Sequence, residues 1–367
     1  MLIAAASGRA LAASARRGGY VPLVADAFGD SDVLAAAAAH ERLDLLDRGL
    51  DDEKVIDALT RLADGVAPAG IVCGSGFEDR AGLLARISEH WPLLGTAPDT
   101  VARLKDPLAF AALCRDADIP HPETALQRPA DATDWLVKRV GGAGGWHIRP
   151  LREADVAGEG IYFQRRIAGE AVSALLLGDG RSVLVLGSSA QWCSPLPRHP
   201  FRYGGAVRPA ALSENLAQAM TAALTRLTAR LPLTGLSSAD FLVDGDRFHL
   251  LEINPRPGAT FDLFEPERGP SLFALHVDAC AGRLPDTVPR LEGATAGAIL
   301  YAARDIDRMP ALDWPDWASD RPVPGSAVRA DAPLCSVFAR AETAAQARRL
   351  LERRMAEIEA RLWEPVT

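Results

Sequence analysis

The sequence predicts a mixed α/β and α+β fold, with an N-terminal parallel α/β domain followed by a unit built on antiparallel hairpins. Three observations carry this expectation. Strand and helix signals alternate through the first hundred residues, and such alternation builds a parallel sheet. Four glycines in five positions, Gly141-Gly142-Ala143-Gly144-Gly145, follow the short apolar run Trp135-Leu136-Val137-Lys138. A further apolar run, Ala239 to Val243, and the segment Leu251 to Gly258 lie on either side of the turn Val243-Asp244-Gly245-Asp246-Arg247, which folds the first strand back as a hairpin.

In chain order, Leu2 to Ala6 reads as a strand, Arg9 to Arg17 as a helix, Tyr20 to Ala25 as a second strand and Asp52 to Ala63 as an amphipathic helix. Gly70 to Cys73 is a further strand running into Gly74-Ser75-Gly76, and ligands of parallel sheets sit on such loops. The Gly8 turn lacks the Gly-x-Gly-x-x-Gly spacing, so no dinucleotide site is expected there. A helix follows from Asp106 to Asp116, closed by Ile119-Pro120. Beyond the glycine cluster, Gly160 to Gln164 is a strand, and Val172 to Leu177 pairs with Val183 to Leu186 across Gly178-Asp179-Gly180-Arg181. Ser213 caps a helix that places Leu216, Met220, Leu224, Leu227 and Leu231 on one core face. Trp314 to Gly325 reads as an irregular loop. A last helix, Thr343 to Leu362, aligns Ala347, Leu351, Met355, Ile358 and Leu362.

Composition narrows the function. At 367 residues the chain suits two or three domains, and 48% hydrophobic with 24% charged residues is globular usage. A net charge of -8 argues against a general nucleic-acid binder, which needs a basic footprint. No apolar run reaches the length of a membrane span, and the start is broken by Ser7-Gly8-Arg9 before a signal-peptide core forms. Five dispersed cysteines suggest neither a disulfide framework nor a zinc site, so a reducing cytoplasm is the expected home. Of 40 basic residues only Lys54, Lys105 and Lys138 are lysine. Against that arginine bias, a retained lysine marks a position needing a compact ammonium.

The hairpin carries the most chemistry. Glu252 and Asn254 are two apart on an extended segment and so share a face, and the turn brings Asp240 beside them. Three hard oxygen donors suit Mg2+, which fills its octahedron with waters and phosphates. Glu252 lies among Leu250, Leu251 and Ile253, where an unpaired charge is expensive. Arg256 stands where a guanidinium reaches the same phosphates. The glycine cluster either cradles phosphates with backbone N–H groups or is a plain mobile hairpin tip. It is not a Walker motif, because Trp146 follows Gly145.

The order of these parts, a lysine, a second lysine before a glycine-rich loop, a hinge strand, an Asp strand and a Glu-x-Asn strand, resembles the ATP-grasp superfamily from about Val101 to Thr260. The resemblance implies a pre-ATP-grasp domain over residues 1–100, an ATP-grasp lid over 101–165, an antiparallel-sheet catalytic subdomain over 166–290 and a C-terminal extension over 291–367. It implies that Lys105 and Lys138 contact ATP phosphates, that Gly142, Gly144 and Gly145 close over the β- and γ-phosphates, and that Gln164, Arg165 and Ile167 form the adenine hinge. Glu170 would take the ribose hydroxyls, and Asp240, Glu252 and Asn254 would hold one or two Mg2+, with Mn2+ as an alternative. Gln164 replaces the glutamate of many members. Ser238 stands where some peptide-forming relatives carry arginine, which leaves Arg256, with Lys138, as the catalytic cations.

The implied reaction is ATP-dependent joining of a carboxylate to an amine through an acyl phosphate, with release of ADP and phosphate. Ser75, Glu78, Arg202 and Gly258 are the expected substrate contacts, although Arg202 also reads as a surface arginine beside a turn. The stretches Ala6 to Leu11, Gly74 to Glu78 and Pro200 to Gly205 are similar to those of ATP-grasp proteins allied to the tyramine-glutamate ligases of methanofuran biosynthesis. The expected partners are therefore a small carboxylate and an amine, with neither nucleic acid nor membrane, and a homo-oligomer is compatible. Two alternatives stay open: a biotin-carboxylase-like or nucleotide-pathway enzyme using a small acid, and a non-catalytic ATP-binding module.

Overall fold

The computed structural model describes residues 1–46 and 49–363. The N-terminal part is a parallel sheet of β1 (Leu2–Ala5), β2 (Leu23–Asp26) and β3 (Ala39–Arg42) with β6 (Ile71–Cys73), in the order β3-β2-β1-β6. A short ribbon, β4 (Leu45–Leu46) with β5 (Gly49–Leu50), lies outside it. The helices α1 (Arg9–Arg17), α2 (Ser31–Ala36), α3 (Asp52–Ala63) and α4 (Ala81–His90) complete this part. Ile3, Val24 and Val72 face one side with Leu11 and Ala12 of α1; Leu2, Ala25 and Ile71 face the other with Val55, Leu59 and Leu62 of α3. Burial on both faces is what makes these short strands uniformly apolar.

Two helices stand where one was expected. α5 (Pro98–Lys105) ends at Asp106, whose carboxylate then caps α6 (Pro107–Asp116) by accepting from Leu108 N and Ala109 N at 2.9 and 2.7 Å. Pro107 has no N–H to continue α5 but suits the first position of α6. Lys105 thus sits at a helix end that abuts β15 (Arg247–Asn254), which was not visible from motif order alone.

A small antiparallel sheet forms the lid: β7 (Thr124–Ala125), β8 (Trp135–Arg139), β9 (Arg149–Pro150) and β10 (Ile161–Arg165), ordered β7-β10-β8-β9. Trp135, Val137, Leu151 and Phe163 are its core. The main sheet is antiparallel with eight strands: β11 (Glu170–Asp179), β12 (Val183–Cys193), β13 (Tyr203–Arg208), β14 (Thr234–Asp244), β15, β16 (Ala294–Tyr301), β17 (Ala318–Ser319) and β18 (Pro333–Ala341). Their order is β15-β14-β11-β12-β13-β16-β18-β17. The segment 291–367 therefore contributes strands to this same sheet rather than packing beside it.

Helix α7 (Glu214–Thr228) covers one face with Leu216, Met220, Leu224 and Leu227, and Ser213 Oγ accepts from Leu216 N at 3.2 Å. The short α8 (Phe261–Phe264) and α9 (Leu272–Cys280) join the sheet to the N-terminal domain through a shared core. α10 (Ala344–Trp363) packs Ala347, Leu351 and Ile358 against β16 and β18. Thr343 and Gln346 exchange side-chain bonds with each other's backbone N–H, a capping box that fixes the start of α10. Among the described residues no helix is long and apolar enough to cross a membrane.

Candidate active site

The Asp240 and Glu252 side chains meet because their strands pair with those two residues directly opposite, and Ser238 opposes Asn254. One further device is needed. A strict period of two would turn Leu250 toward the same face as Glu252 and Asn254. The register instead shifts between Asp240 and Phe241, leaving Leu251 as the extra residue of a bulge, so Leu250 and Ile253 both enter the core with Ala239 and Phe241. The apolar run around Glu252 is thereby buried while Glu252 itself opens to a large cavity, its side chain 40% exposed.

The three oxygen-bearing side chains form one network. Asp240 accepts from Ser173 Oγ at 2.6 Å and from Asn254 Nδ2 at 3.0 Å. Lys105 Nζ donates to Asn254 Oδ1 at 2.6 Å and to Glu252 Oε2 at 3.2 Å. Burial, then the charge of Glu252, lifts Asp240 to about 6. Burial would lift Glu252 as well, but Lys105 and Lys138 outweigh it and hold Glu252 low and ionised. Two acids and an amide make no cluster of three metal-binding His, Cys, Asp or Glu side chains among the described residues. The donor set is nevertheless all hard oxygen, and it suits a cation that draws its other ligands from water and phosphate. Asp240, Glu252 and Asn254 would hold that cation, next to the Lys105 ammonium.

Lys138 lies on β8 and donates to Gln164 Oε1 on β10 at 2.8 Å, with Gln164 Nε2 bonded onward to Thr124 Oγ1 at 3.3 Å. Lys138 is buried, and burial lowers its pKa against the opposing pull of Glu252 and Asp240. A neutral amide partner leaves its positive charge uncompensated. The hinge side chain at 164 is therefore spent on Lys138, and adenine recognition there would fall to backbone groups of Arg165 and Ile167. Arg165, Ile167 and the exposed Glu170 line the same cavity.

The glycine-rich loop joins β8 to β9 and is docked. Gly144 O accepts from Tyr203 N at 2.9 Å, and Trp146 O lies 2.8 Å from His199 Nδ1. Gly145 has φ +73°, and a Cβ there would fall 1.8 Å from Phe201 O; at Gly142 it would strike the His147 ring. Burial pushes the nearby His147 imidazole down to about 4.

The expected substrate contacts divide. Ser75, Glu78 and Gly258 line the cavity. Glu78, however, is buried and held by Gly76 N at 2.6 Å and by Arg256, so both the expected catalytic arginine and this glutamate are engaged with each other. Arg202 is not presented to the cavity. Its guanidinium donates to Ser194 O, Ser194 Oγ and Asp331 O at 2.8, 3.0 and 3.2 Å, and stacks 3.7 Å from the Tyr301 ring and 5.4 Å from Trp146. The Asp331 carbonyl and the two rings that claim it are remote in sequence, which is why a carboxylate fork looked available. Ser173 and His147 were missed by sequence reasoning; Ser173 is one hydroxyl in an apolar strand, and only the register of β11 opposite Asp240 gives it a role.

The cavity has a volume of about 2600 Å³ and is bounded by the lid, the β14–β15 hairpin, the N-terminal loops and the segment after Tyr301.

Comparison with known proteins places this geometry. Residues 105–260 match the ATP-grasp domain family. It is 25% identical over 219 residues to the carbamoyl phosphate synthase large chain of Myxococcus xanthus, covering 52% of this chain and 20% of that one. The corresponding large chain of Rubrobacter xylanophilus is 23% identical over 304 residues, covering 76% and 28%. The chain thus spans less than a third of the length of these relatives. Among solved structures, Campylobacter jejuni biotin carboxylase superposes with a TM-score of 0.72 at 17% identity, covering 94% of this chain and 88% of that one. The biotin carboxylase domain of Hydrogenobacter thermophilus 2-oxoglutarate carboxylase, a complex with MgADP, ADP and bicarbonate, gives 0.74 at 13% identity, covering 96% and 89%. The mixed fold expected from the sequence is the one observed.

Proposed function

We propose that the chain is an ATP-dependent carboxylate-amine ligase that forms an amide through an acyl phosphate. The observation that carries this is that Lys105 bonds Glu252 and Asn254 while Lys138 lies in the field of Glu252 and Asp240, with Lys138, the glycine-rich loop and the three oxygen-bearing side chains all lining a cavity too large for a nucleotide alone. In the reaction a carboxylate oxygen takes the γ-phosphoryl group and the bond to the β-phosphate breaks. The amine nitrogen then attacks the acyl carbon, inorganic phosphate leaves and the ammonium proton is lost. One or two Mg2+ at the oxygen set would neutralise the transferring phosphate charge. Lys138, whose hydrogen-bond partner is a neutral glutamine, meets the phosphates from the lid, and Lys105 meets them from the end of α5. Arg256 is held in orientation by Glu78. Catalysis of this kind is positioning and electrostatics, and it needs no protein nucleophile.

The acid we favour is an amino acid of the glutamate type and the amine a tyramine-like one, as in the ligases of methanofuran biosynthesis, which makes cofactor biosynthesis the proposed setting. Five free cysteines fit a reducing cytoplasm. ADP release measured over pairs of acids and amines tests this: ADP and phosphate in step with amide support it, and AMP with pyrophosphate rules it out. A second reading, with bicarbonate as the acid, draws on the likeness to biotin carboxylase over nearly the whole chain. ADP release with bicarbonate and without amino acid would favour it.

A further inference from the structure

A second charged cluster lines the same cavity, built not from the lid but from the N-terminal domain and the segment after Tyr301. Arg9 at the start of α1 donates to both oxygens of Asp262, at 2.6 and 2.8 Å, and to both oxygens of Asp320, at 3.1 Å each. Asp320 also accepts from Ser7 Oγ at 3.2 Å. Asp32 is satisfied by the N–H groups of Asp320 and Arg321, and Asp26 by those of Gly8 and Gly29 and by His40.

Asp30 is different. It sits at the N-cap position of α2, yet its side chain makes no capping bond, and among the described residues it has no hydrogen-bond or ion-pair partner. It is only 7% exposed, and it lines the cavity. An isolated carboxylate in such a place is costly unless a partner arrives with a ligand. The charge around it specifies that partner. Arg9 is shared between two aspartates and Arg321 reaches only Asp32, so the cluster as a whole is negative. Phe28 and Val323, each about a third exposed, line the cavity nearby and offer apolar surface.

We propose that Asp30, backed by the charges of Asp320 and Asp32, receives the ammonium group of the amine substrate, and that this substrate is a primary amine on an apolar body. The inference rests on the ligase reading above, and it adds where the amine is recognised and in which charge state. Burial, followed by the charges of Asp320, Asp32 and Asp26, pushes the Asp30 carboxyl up to about 8. A group so placed is also suited to take the proton that the ammonium must lose before it attacks.

The test is calorimetric titration of the full chain, without ATP, with tyramine and with neutral N-acetyltyramine, in the wild type and in Asp30→Asn, alongside MgATP titration of both proteins. The expected result is tyramine binding at least about tenfold tighter than its neutral derivative, a loss of about tenfold or more in Asp30→Asn, and MgATP affinity unchanged within about twofold. Equal binding of the two compounds, unchanged tyramine binding in Asp30→Asn, or no binding of tyramine to the wild type would each overturn the subsite. If Asp30→Asn does not fold, the wild-type comparison decides alone. The ligase reading has its own readout: amine binding without amine-dependent ADP release sinks the ligase and keeps the subsite, whereas amide formation with an unaltered amine KM in Asp30→Asn does the reverse.

Discussion

Glu78, on the loop after β6, accepts from the Arg256 guanidinium just beyond the β14–β15 hairpin, and the pair is buried on both sides, with side chains 2% and 12% exposed. The ion pair ties the N-terminal domain to the catalytic sheet at the point where phosphate charge would be neutralised. Burial would raise the Glu78 pKa, but Arg256 and then Lys105 hold it below its ordinary range, so the pair stays charged.

Removing one partner strands the other. Glu78→Ala is expected to destabilise the protein by roughly 3 kcal/mol or more, read as a fall in denaturation midpoint, while the double variant with Arg256→Ala recovers part of the loss. Additive losses in that cycle would mean the pair contributes no coupling.

Glu252→Ala and Asn254→Ala each remove an oxygen donor and a Lys105 partner. ATP-dependent turnover should fall by at least about a hundredfold, with the circular dichroism spectrum preserved. Substantial activity in Glu252→Ala would place the metal elsewhere.

Gln164→Glu puts a carboxylate against the Lys138 ammonium, which now faces an amide at 2.8 Å. An opposite charge raises the lysine pKa and neutralises the field it offers to phosphate. Calorimetry should show MgATP binding several-fold weaker, with thermal stability maintained; tighter binding would contradict the role given to Lys138.

Asp30 gives a pH signature of definite sign. Its folded-state pKa, about 8, lies above the unfolded value near 3.8, so its contribution to stability is fully present below pH 3.8 and is lost as pH rises through 8. Burial sets this first, reinforced by Asp320, Asp32 and Asp26 and opposed by Arg9. Asp30→Asn should therefore gain in melting temperature over the wild type as pH rises from 4 to 8. A constant difference across that range would show that Asp30 titrates normally.

The fold was legible because its signals are local. Alternating strands and helices, the Asp179 turn and the Ser213 cap each announce themselves within a few residues. The Asp240, Glu252 and Asn254 grouping was legible for a related reason, since one hairpin places all three. What the sequence hid depends on contacts between distant segments. Ser173 matters only through its register with Asp240, and Arg202 is consumed by Ser194, Asp331 and Tyr301. The Asp30 cluster joins residues near 30 and 320, separated by almost the whole chain. The bulge at Leu251 was hidden as well, because alternation alone gives Leu250 the wrong face.

The docking of the glycine-rich loop onto the Phe201 to Tyr203 segment bears on timing. Tyr203 N grips Gly144 O, His199 meets Trp146 O, and Arg202 is packed against the Trp146 and Tyr301 rings. A nucleotide entering beneath this loop would have to part these contacts, and its capture would then proceed at the rate of loop release. In stopped-flow traces the observed rate should then level off at high ATP instead of climbing in proportion. Gly145→Ala, whose Cβ would collide with Phe201 O, should lift that ceiling by holding the latch ajar, and should let water reach the acyl phosphate before the amine does.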